Sequence, residues 1–350
     1  MRRILCTGSL GFLGANLVRA LLDNGDFVIG IDDLSGGDEA NHPTGIVTRD
    51  YYKFYEIDLA NYKATDEVFR SHKPEIVVHL AANARESASF FDPYKICRAN
   101  SLISSVVLEL GVKYGMKKFV FTSSMSVFGK QRTPFAEEMR PRPVDPYGAQ
   151  KAATEEMIAM VAGAHESFQY TILRPHNLFG PYQSMRDPFR NAIAIFANKI
   201  MRGEPINIYG KDHKRAFSFI GDALPAFVKA TELDVANEQI INLGGTKEIT
   251  ILEAANEVVA NFPEYPKPEI RGLPPRYGEV ETAFATFDKS QKLLGFTETH
   301  GWKEGIRISC DWFRKKGPQE WMKDTLAIPT ERIPLSWREH MDAVTRGRYD

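Results

Sequence analysis

The chain has 350 residues, 43% hydrophobic and 25% charged, with a formal net charge of −1 at pH 7. That length allows one large domain or two modest ones with ample buried core, and the composition is that of a soluble globular protein. The near-zero charge argues against a nucleic-acid binder, which needs a basic excess, and no apolar run is long enough to span a membrane.

The opening residues, MRRILCTGSLGFLG, resemble a secretion signal only superficially. Thr7, Gly8, Ser9, Gly11 and Gly14 interrupt the apolar run, so the segment is expected to stay as a first strand and turn in a cytoplasmic protein. Strands are predicted at 2–7, 27–32, 53–57, 75–80, 118–123 and 170–175, and helical periodicity covers 12–23, 64–72, 95–115 and 148–163. Strands alternating with helices imply a parallel sheet covered on both faces. Right-handed crossovers then make it a doubly wound α/β fold. After Pro175 the pattern loosens: a helix near 189–202, then INIYG, then RAFSFIGD leading into another helix, then a strand in QIINLGG (239–245). Two Pro-rich stretches, RTPFAEEMRPRPVDP and PEYPKPEIRGLPPRYGE, read as loops too irregular for core elements. From about Gly317 the chain is polar and Pro-interrupted, a tail over the surface or over a partner.

TGSLGFLG carries Gly8, Gly11 and Gly14 between a strand and a helix, the context a dinucleotide site requires. Gly8 permits the tight turn, Gly11 the close approach of a pyrophosphate, and Gly14 the packing of helix on strand. The helix N-terminus adds unpaired N–H groups and a positive dipole end. The next strand ends in GIDDLS, with Asp32 eighteen residues beyond Gly14. A carboxylate there accepts from both ribose hydroxyls and repels a 2′-phosphate, selecting NAD over NADP. Asp58-Leu59, ending the following strand, stands where an adenine edge would lie, although Asp58 could equally cap its loop.

DPYGAQK sets Tyr147 and Lys151 four apart, on one helix face. A nearby ammonium group should bring the phenol down from its usual value near 10 toward the working range. Ser124, in FTSSMSVFG, lies 23 residues earlier at a strand end, where such sheets face their ligands. Cys6, Cys97 and Cys310 are sparse and odd in number, which fits a reducing compartment; Cys6 and Cys97 read as small core residues. The eight histidines are scattered without ligand spacing, so no metal site is expected.

TGSLGFLG, GIDDLS, Asp58-Leu59, HLAA (79–82), TSSMSVFG, YGAQK and RPHNLFGP (174–181) follow one another in the order of the extended short-chain dehydrogenase/reductase family. More narrowly, residues 1 to about 316 resemble its NAD-dependent nucleotide-sugar epimerase/dehydratase group. The resemblance implies a Rossmann domain over 1–175, rejoined by 215–245. It implies a smaller, interleaved α/β substrate domain from 176–214 and 246–316, with 317–350 as a tail. It also implies Ser124, Tyr147 and Lys151 as catalytic residues. NAD would be held by Gly8, Gly11, Phe12, Leu13, Gly14, Asp32, Asp33, Asp58, Leu59, Leu80, Ala81, Ala82, Asn100, Tyr147, Lys151 and Pro175. A nucleotide-sugar, with UDP-sugars favoured, would meet Ser124, Ser126, Tyr147, Asn177, Asn191, Arg215 and Arg276.

In that group tyrosine removes the sugar 4-OH proton as hydride passes from C4 to NAD. Dehydratases carry an Asp-Glu pair after the catalytic Ser/Thr, UDP-glucuronate decarboxylases a glutamate and GDP-mannose 3,5-epimerases a cysteine at the second position. Here those positions are Met125 and Ser126. Elimination favours inversion at C4, a UDP-glucose 4-epimerase-like isomerase. A 4-reductase, a 4-keto-sugar dehydrogenase and a uronate epimerase stay open as alternatives. A non-catalytic NAD sensor is disfavoured because Tyr147 and Lys151 are both present, and an assembly role through the tail is the remaining rival. Arg85 and Glu86 follow LAANA, where the group this chain resembles often lines the sugar pocket; an arginine there could meet a uronate carboxylate, but a solvent-facing pair is the better reading. His79 reads as structural and His176 as pocket wall. Helices 95–115 and 148–163, with stripes such as Leu102, Val106 and Leu110 or Ala152, Met157 and Met160, are the pair that the resemblance buries in a homodimer.

Overall fold

The computed structural model describes residues 1–44, 48–165, 167–276 and 278–322. Among these residues seven parallel strands form the main sheet, in the order Gln239–Leu243, Gln169–Pro175, Lys118–Thr122, Ile76–His79, Arg3–Thr7, Phe27–Asp32 and Tyr52–Glu56. The strand order reverses between Arg3–Thr7 and Ile76–His79, which opens a crevice at the carboxyl ends of the strands.

Alternating side chains point to opposite faces of a strand, and here both faces are apolar. Ile4, Cys6, Val78 and Val120 pack against the helices Phe12–Asp23 and Ile220–Glu232. Leu5, Val77, Phe119 and Phe121 face Tyr62–His72, Ile103–Lys113 and Pro146–Ala164. Burial on both sides explains why these strands read as unbroken apolar runs.

The helix expected over 95–115 is broken into Pro93–Cys97, a π-turn at Arg98–Leu102, and Ile103–Lys113. A second apolar core gathers the helices Ala192–Met201, Ile251–Ala260 and Gly301–Lys316 around Phe196, Ile208, Val258 and Phe313. Beside it, Ile206–Tyr209 pairs in parallel with Ile270–Leu273. That second strand corrects the reading of its Pro-rich stretch as loop throughout. IRGL lies between Pro268 and Pro274 and keeps all its own N–H groups for pairing.

Gly317 ends the last helix at φ +74°, and 317–322 then turn back onto the helix Ala192–Met201. The rest of the expected tail, 323–350, lies outside the described residues. Cys6 and Cys310 are buried, but Cys97 is exposed, on a short helix at the surface, and is not a core residue. Among the described residues no helix is long and apolar enough to cross a membrane.

Candidate active site

A continuous cleft of about 1990 Å³ follows the strand ends from the glycine turn to the second core. Its first wall is made of backbone. Gly8 adopts φ +66°, and a Cβ there would stand 2.9 Å from Ala81 Cα. A Cβ on Gly14 would come within 2.0 Å of the Gly8 carbonyl oxygen. The helix Phe12–Asp23 starts at Gly11 with no side-chain cap, so its first N–H groups remain available to an anion. Phe12, Leu13, Leu59, Leu80, Ala81, Ala82 and Pro175 line the same cleft.

Asp32 is buried at the end of its strand, where it accepts the Leu10 and Leu34 N–H groups, each at 2.9 Å. Burial holds its carboxyl above the usual range, although those bonds oppose the shift. Asp33 accepts from the Ser35 amide and hydroxyl at 3.0 and 2.6 Å. A glycine cradle that no Cβ would fit, followed by a carboxylate at the next strand end, suits a dinucleotide. Two expected members of this set are employed elsewhere. Asp58 lies off the cleft, capping its loop through the Ala60 N–H at 2.9 Å and pairing with Arg98. Asn100 is buried in the π-turn, where Oδ1 accepts the Asn83 N–H at 2.8 Å and Nδ2 donates to the Asn83 carbonyl at 3.3 Å. It pins the loop that carries residues 84–86 instead of lining the cleft.

The middle of the cleft holds the hydroxyl groups. Ser124 caps the short turn Met125–Phe128, its Oγ accepting the Ser126 N–H at 3.1 Å. Asp145 caps Pro146–Ala164 through the Gly148 N–H at 2.8 Å, with proline in the first turn. That start places the Tyr147 phenol near enough to Ser124 for the hydroxyl to oppose the rise that burial causes. Lys151, one turn on, donates to the Thr122 carbonyl at 2.8 Å and lies 5.8 Å from the Tyr147 ring centroid. The helix is fastened from behind by a buried pair, Arg174 Nε and Nη2 on Glu155 at 2.9 and 2.6 Å.

Lys151 does not lower the phenol as expected. Burial pushes Tyr147 up, and Glu86 and Asp145 add to it. Burial also brings Lys151 down to about 7, so much of its charge is absent at neutral pH.

The carboxylates close by were the least anticipated feature. Ser126 donates to Glu86 Oε1, and the Ser124 and Ser126 hydroxyls stand 3.0 Å apart. A hydrogen-bonded chain thus runs Ser124–Ser126–Glu86 beside Tyr147. Burial and the Glu86 charge hold the Asp145 carboxyl well above the usual range. Of the expected solvent-facing pair only Glu86 is exposed, at the cleft; Arg85 is buried. Arg85 is 6% exposed and donates to Asp187 Oδ2 at 2.7 Å, while Glu86 faces the cleft.

At the far end Asn177, at φ +33°, donates to the Ala216 carbonyl at 3.0 Å. Asn191 caps Ala192–Met201 and donates to the Leu178 carbonyl at 2.5 Å. Arg215 is anchored on the Lys214 and Val280 carbonyls at 2.8 and 2.6 Å. Arg276 lies over the Tyr209 ring at 4.7 Å and pairs with Glu279. All four line the cleft. So do Trp321 and Met322, which sequence reading left in an unassigned tail. Trp321 Nε1 donates to Glu204 at 3.1 Å, and the Met322 N–H to the Arg186 carbonyl at 2.9 Å. The only available signal was an apolar pair in a polar segment.

The two singled-out histidines are structural. His79 bridges the Thr7 and Ser104 hydroxyls at 2.8 and 2.9 Å, and burial brings it down to about 3. His176 packs edge-on to Phe287 behind the cleft, not in its wall, and is likewise lowered to about 3 by burial.

Residues 4–244 match the NAD dependent epimerase/dehydratase family. A UDP-glucose 4-epimerase of Mycolicibacterium smegmatis is 30% identical over 319 residues, covering 90% of this chain and 99% of the relative. The crystal structure of UDP-glucose 4-epimerase from Thermotoga maritima with UDP-glucose superposes with a TM-score of 0.81 at 31% identity, over 90% of this chain and 99% of that one. The Thermus thermophilus UDP-glucose 4-epimerase in complex with NAD gives 0.81 at 31%, over 89% and 99%.

Proposed function

This chain belongs to the NAD dependent epimerase/dehydratase family, and on that premise we propose that it inverts C4 of a nucleotide-diphosphate sugar, a UDP-hexose foremost, through a transient 4-keto sugar. The observation that carries this reading is one cleft containing the glycine cradle, the Ser124–Tyr147–Lys151 group and the Arg215–Arg276 pair. Bound NAD would supply an acceptor, and then a donor, for the hydrogen at C4. Gly8, Gly11 and Gly14 would admit its pyrophosphate, Asp32 its adenosine ribose, and Lys151 the ribose nearer the sugar. Tyr147 takes the proton of the 4-OH, and Ser124 holds that oxygen and shares the proton. With Lys151 poised near 7, a small change of field would give it a proton, and that charge would then oppose the burial that raises the Tyr147 phenol. Arg215 and Arg276 offer guanidinium forks, the geometry suited to a diphosphate.

Arg85, the residue that could have met a sugar carboxylate, is committed to Asp187, and Glu86 stands in the cleft instead. That favours a neutral or amino sugar over a uronate. Leu102 and Met160 project from the two helical regions expected at a subunit interface, 48% and 71% exposed, which supports a homodimer.

The test is incubation of the purified protein with UDP-, GDP- and dTDP-sugars without added NAD, with products resolved by NMR. A C4-inverted UDP-hexose is expected. Stoichiometric accumulation of NADH, or no reaction with any sugar, overturns the proposal.

A further inference from the structure

The two positions after Ser124 hold Met125 and Ser126, neither of which can move a proton to or from carbon. The site nevertheless contains a carboxylate where such a residue would act. Glu86 arrives from a loop 40 residues upstream of Ser126 and accepts its hydroxyl proton. Ser126 Oγ is 3.0 Å from Ser124 Oγ, and Ser124 and Tyr147 line the same cleft. The carboxylate is therefore two hydrogen bonds from Ser124. The loop is built to hold it there. Arg85 turns inward onto Asp187 at 2.7 Å, the Ser89 hydroxyl donates to the Glu86 carbonyl at 2.5 Å, and Asn100 secures Asn83. With its backbone fixed, the Glu86 side chain is directed into the cleft.

We propose that Glu86 gives this protein a second chemical step: proton exchange at a carbon flanking C4 while C4 is a ketone. The inference rests on the C4-oxidation reading above. A carbonyl at C4 acidifies the hydrogens on C3 and C5. The Glu86 carboxylate takes one of them, and the C–H electron pair becomes the carbon–carbon double bond of an enolate, with the negative charge on O4. Tyr147 and Ser124 donate to that oxygen. Glu86 then returns the proton to carbon and the ketone is restored, so no oxidant, reductant or co-reactant is needed. Two hydrogen-bond lengths, about 5–6 Å, separate the Glu86 carboxylate from Ser124 Oγ, which is within reach of a carbon next to a C4 whose oxygen Ser124 would hold. Asp145, close enough to feel the Glu86 charge, is a second carboxyl through which the proton can exchange with water.

The test uses the protein with its NAD, a UDP-hexose and deuterium oxide, with NMR and mass spectrometry locating the label. Deuterium at C3 or C5 is expected to accumulate with turnover. Glu86→Gln should lower the ratio of carbon-bound deuterium to C4 inversion by about a hundredfold, the usual contribution of a positioned acid/base, and Glu86→Asp should recover part of it. NAD content checks that the variants fold. If Glu86→Gln loses NAD, Ser126→Ala, which removes the hydroxyl holding the carboxylate, supplies the comparison and should also lower the ratio. C4 inversion without carbon-bound deuterium overturns the inference and leaves the C4 reading standing, and deuteration undiminished by Glu86→Gln overturns the role of Glu86. Absence of any C4 chemistry overturns the C4 reading, and the inference with it.

Discussion

The two ends of the cleft are built from different material. The cofactor end is backbone: Gly8, Gly14 and the uncapped helix start, all within one short stretch, with Asp32 at the next strand end. The sugar end is side chain: Glu86, Ser126, Asp145, Arg85–Asp187 and Trp321 arrive from separate segments. A backbone cradle fails all at once when one glycine gains a Cβ. A side-chain pocket degrades stepwise, and a single exchange can re-specify it.

The largest effect is expected in the middle, where the two ends meet. Tyr147→Phe removes the acid/base of the proposed mechanism and should cut turnover by about 10³, measured as C4 product formed per hour. Activity within tenfold of wild type would break the link between the two regions. Next comes Gly14→Ala, whose Cβ would lie 2.0 Å from the Gly8 carbonyl. Overpacking of that kind costs about 3 kcal/mol, so the variant should melt at lower temperature and purify without NAD.

A third effect separates burial from chemistry. Burial lowers Lys151 to about 7 from its ordinary 10.5, so between those values the unfolded chain binds a proton that the folded chain does not. Stability of the NAD-free protein should therefore rise with pH across that window, on the order of 2 kcal/mol between about pH 7 and 9. Lys151→Met should remove that rise in a denaturant titration at the two pH values; an unaltered slope would mean that Lys151 is not buried as described. The smallest effect belongs to the segment 317–322 that turns back onto the cleft. Trp321→Ala should raise KM for the nucleotide-sugar about fivefold, the loss of about 1 kcal/mol of contact, with much less change in kcat.

The same contrast governs what could be read from the chain. The strand Phe27–Asp32 was legible residue for residue, because burial on both faces leaves an apolar run bounded by turns. The glycine turn was legible because its physics is local. Ile270–Leu273 was hidden by the prolines around it, and the π-turn by an uninterrupted helical period. Trp321 offered only an apolar pair in a polar segment and Glu86 only its place after LAANA, because their partners lie 117 and 40 residues away. Asp58 and Asn100 sit at motif positions, yet each is claimed by a nearer partner, Arg98 and the Asn83 backbone. Motif position predicts where a residue stands on the scaffold; only packing decides what its side chain touches.

The central claim is that hydrogen leaves C4 and returns to it within one closed site. The most direct measurement is turnover of a UDP-hexose carrying deuterium at C4, with the product examined by NMR. Full retention of the label at an inverted C4 is the result expected here. Loss of the label to solvent, or its appearance on released NADH, would contradict the account.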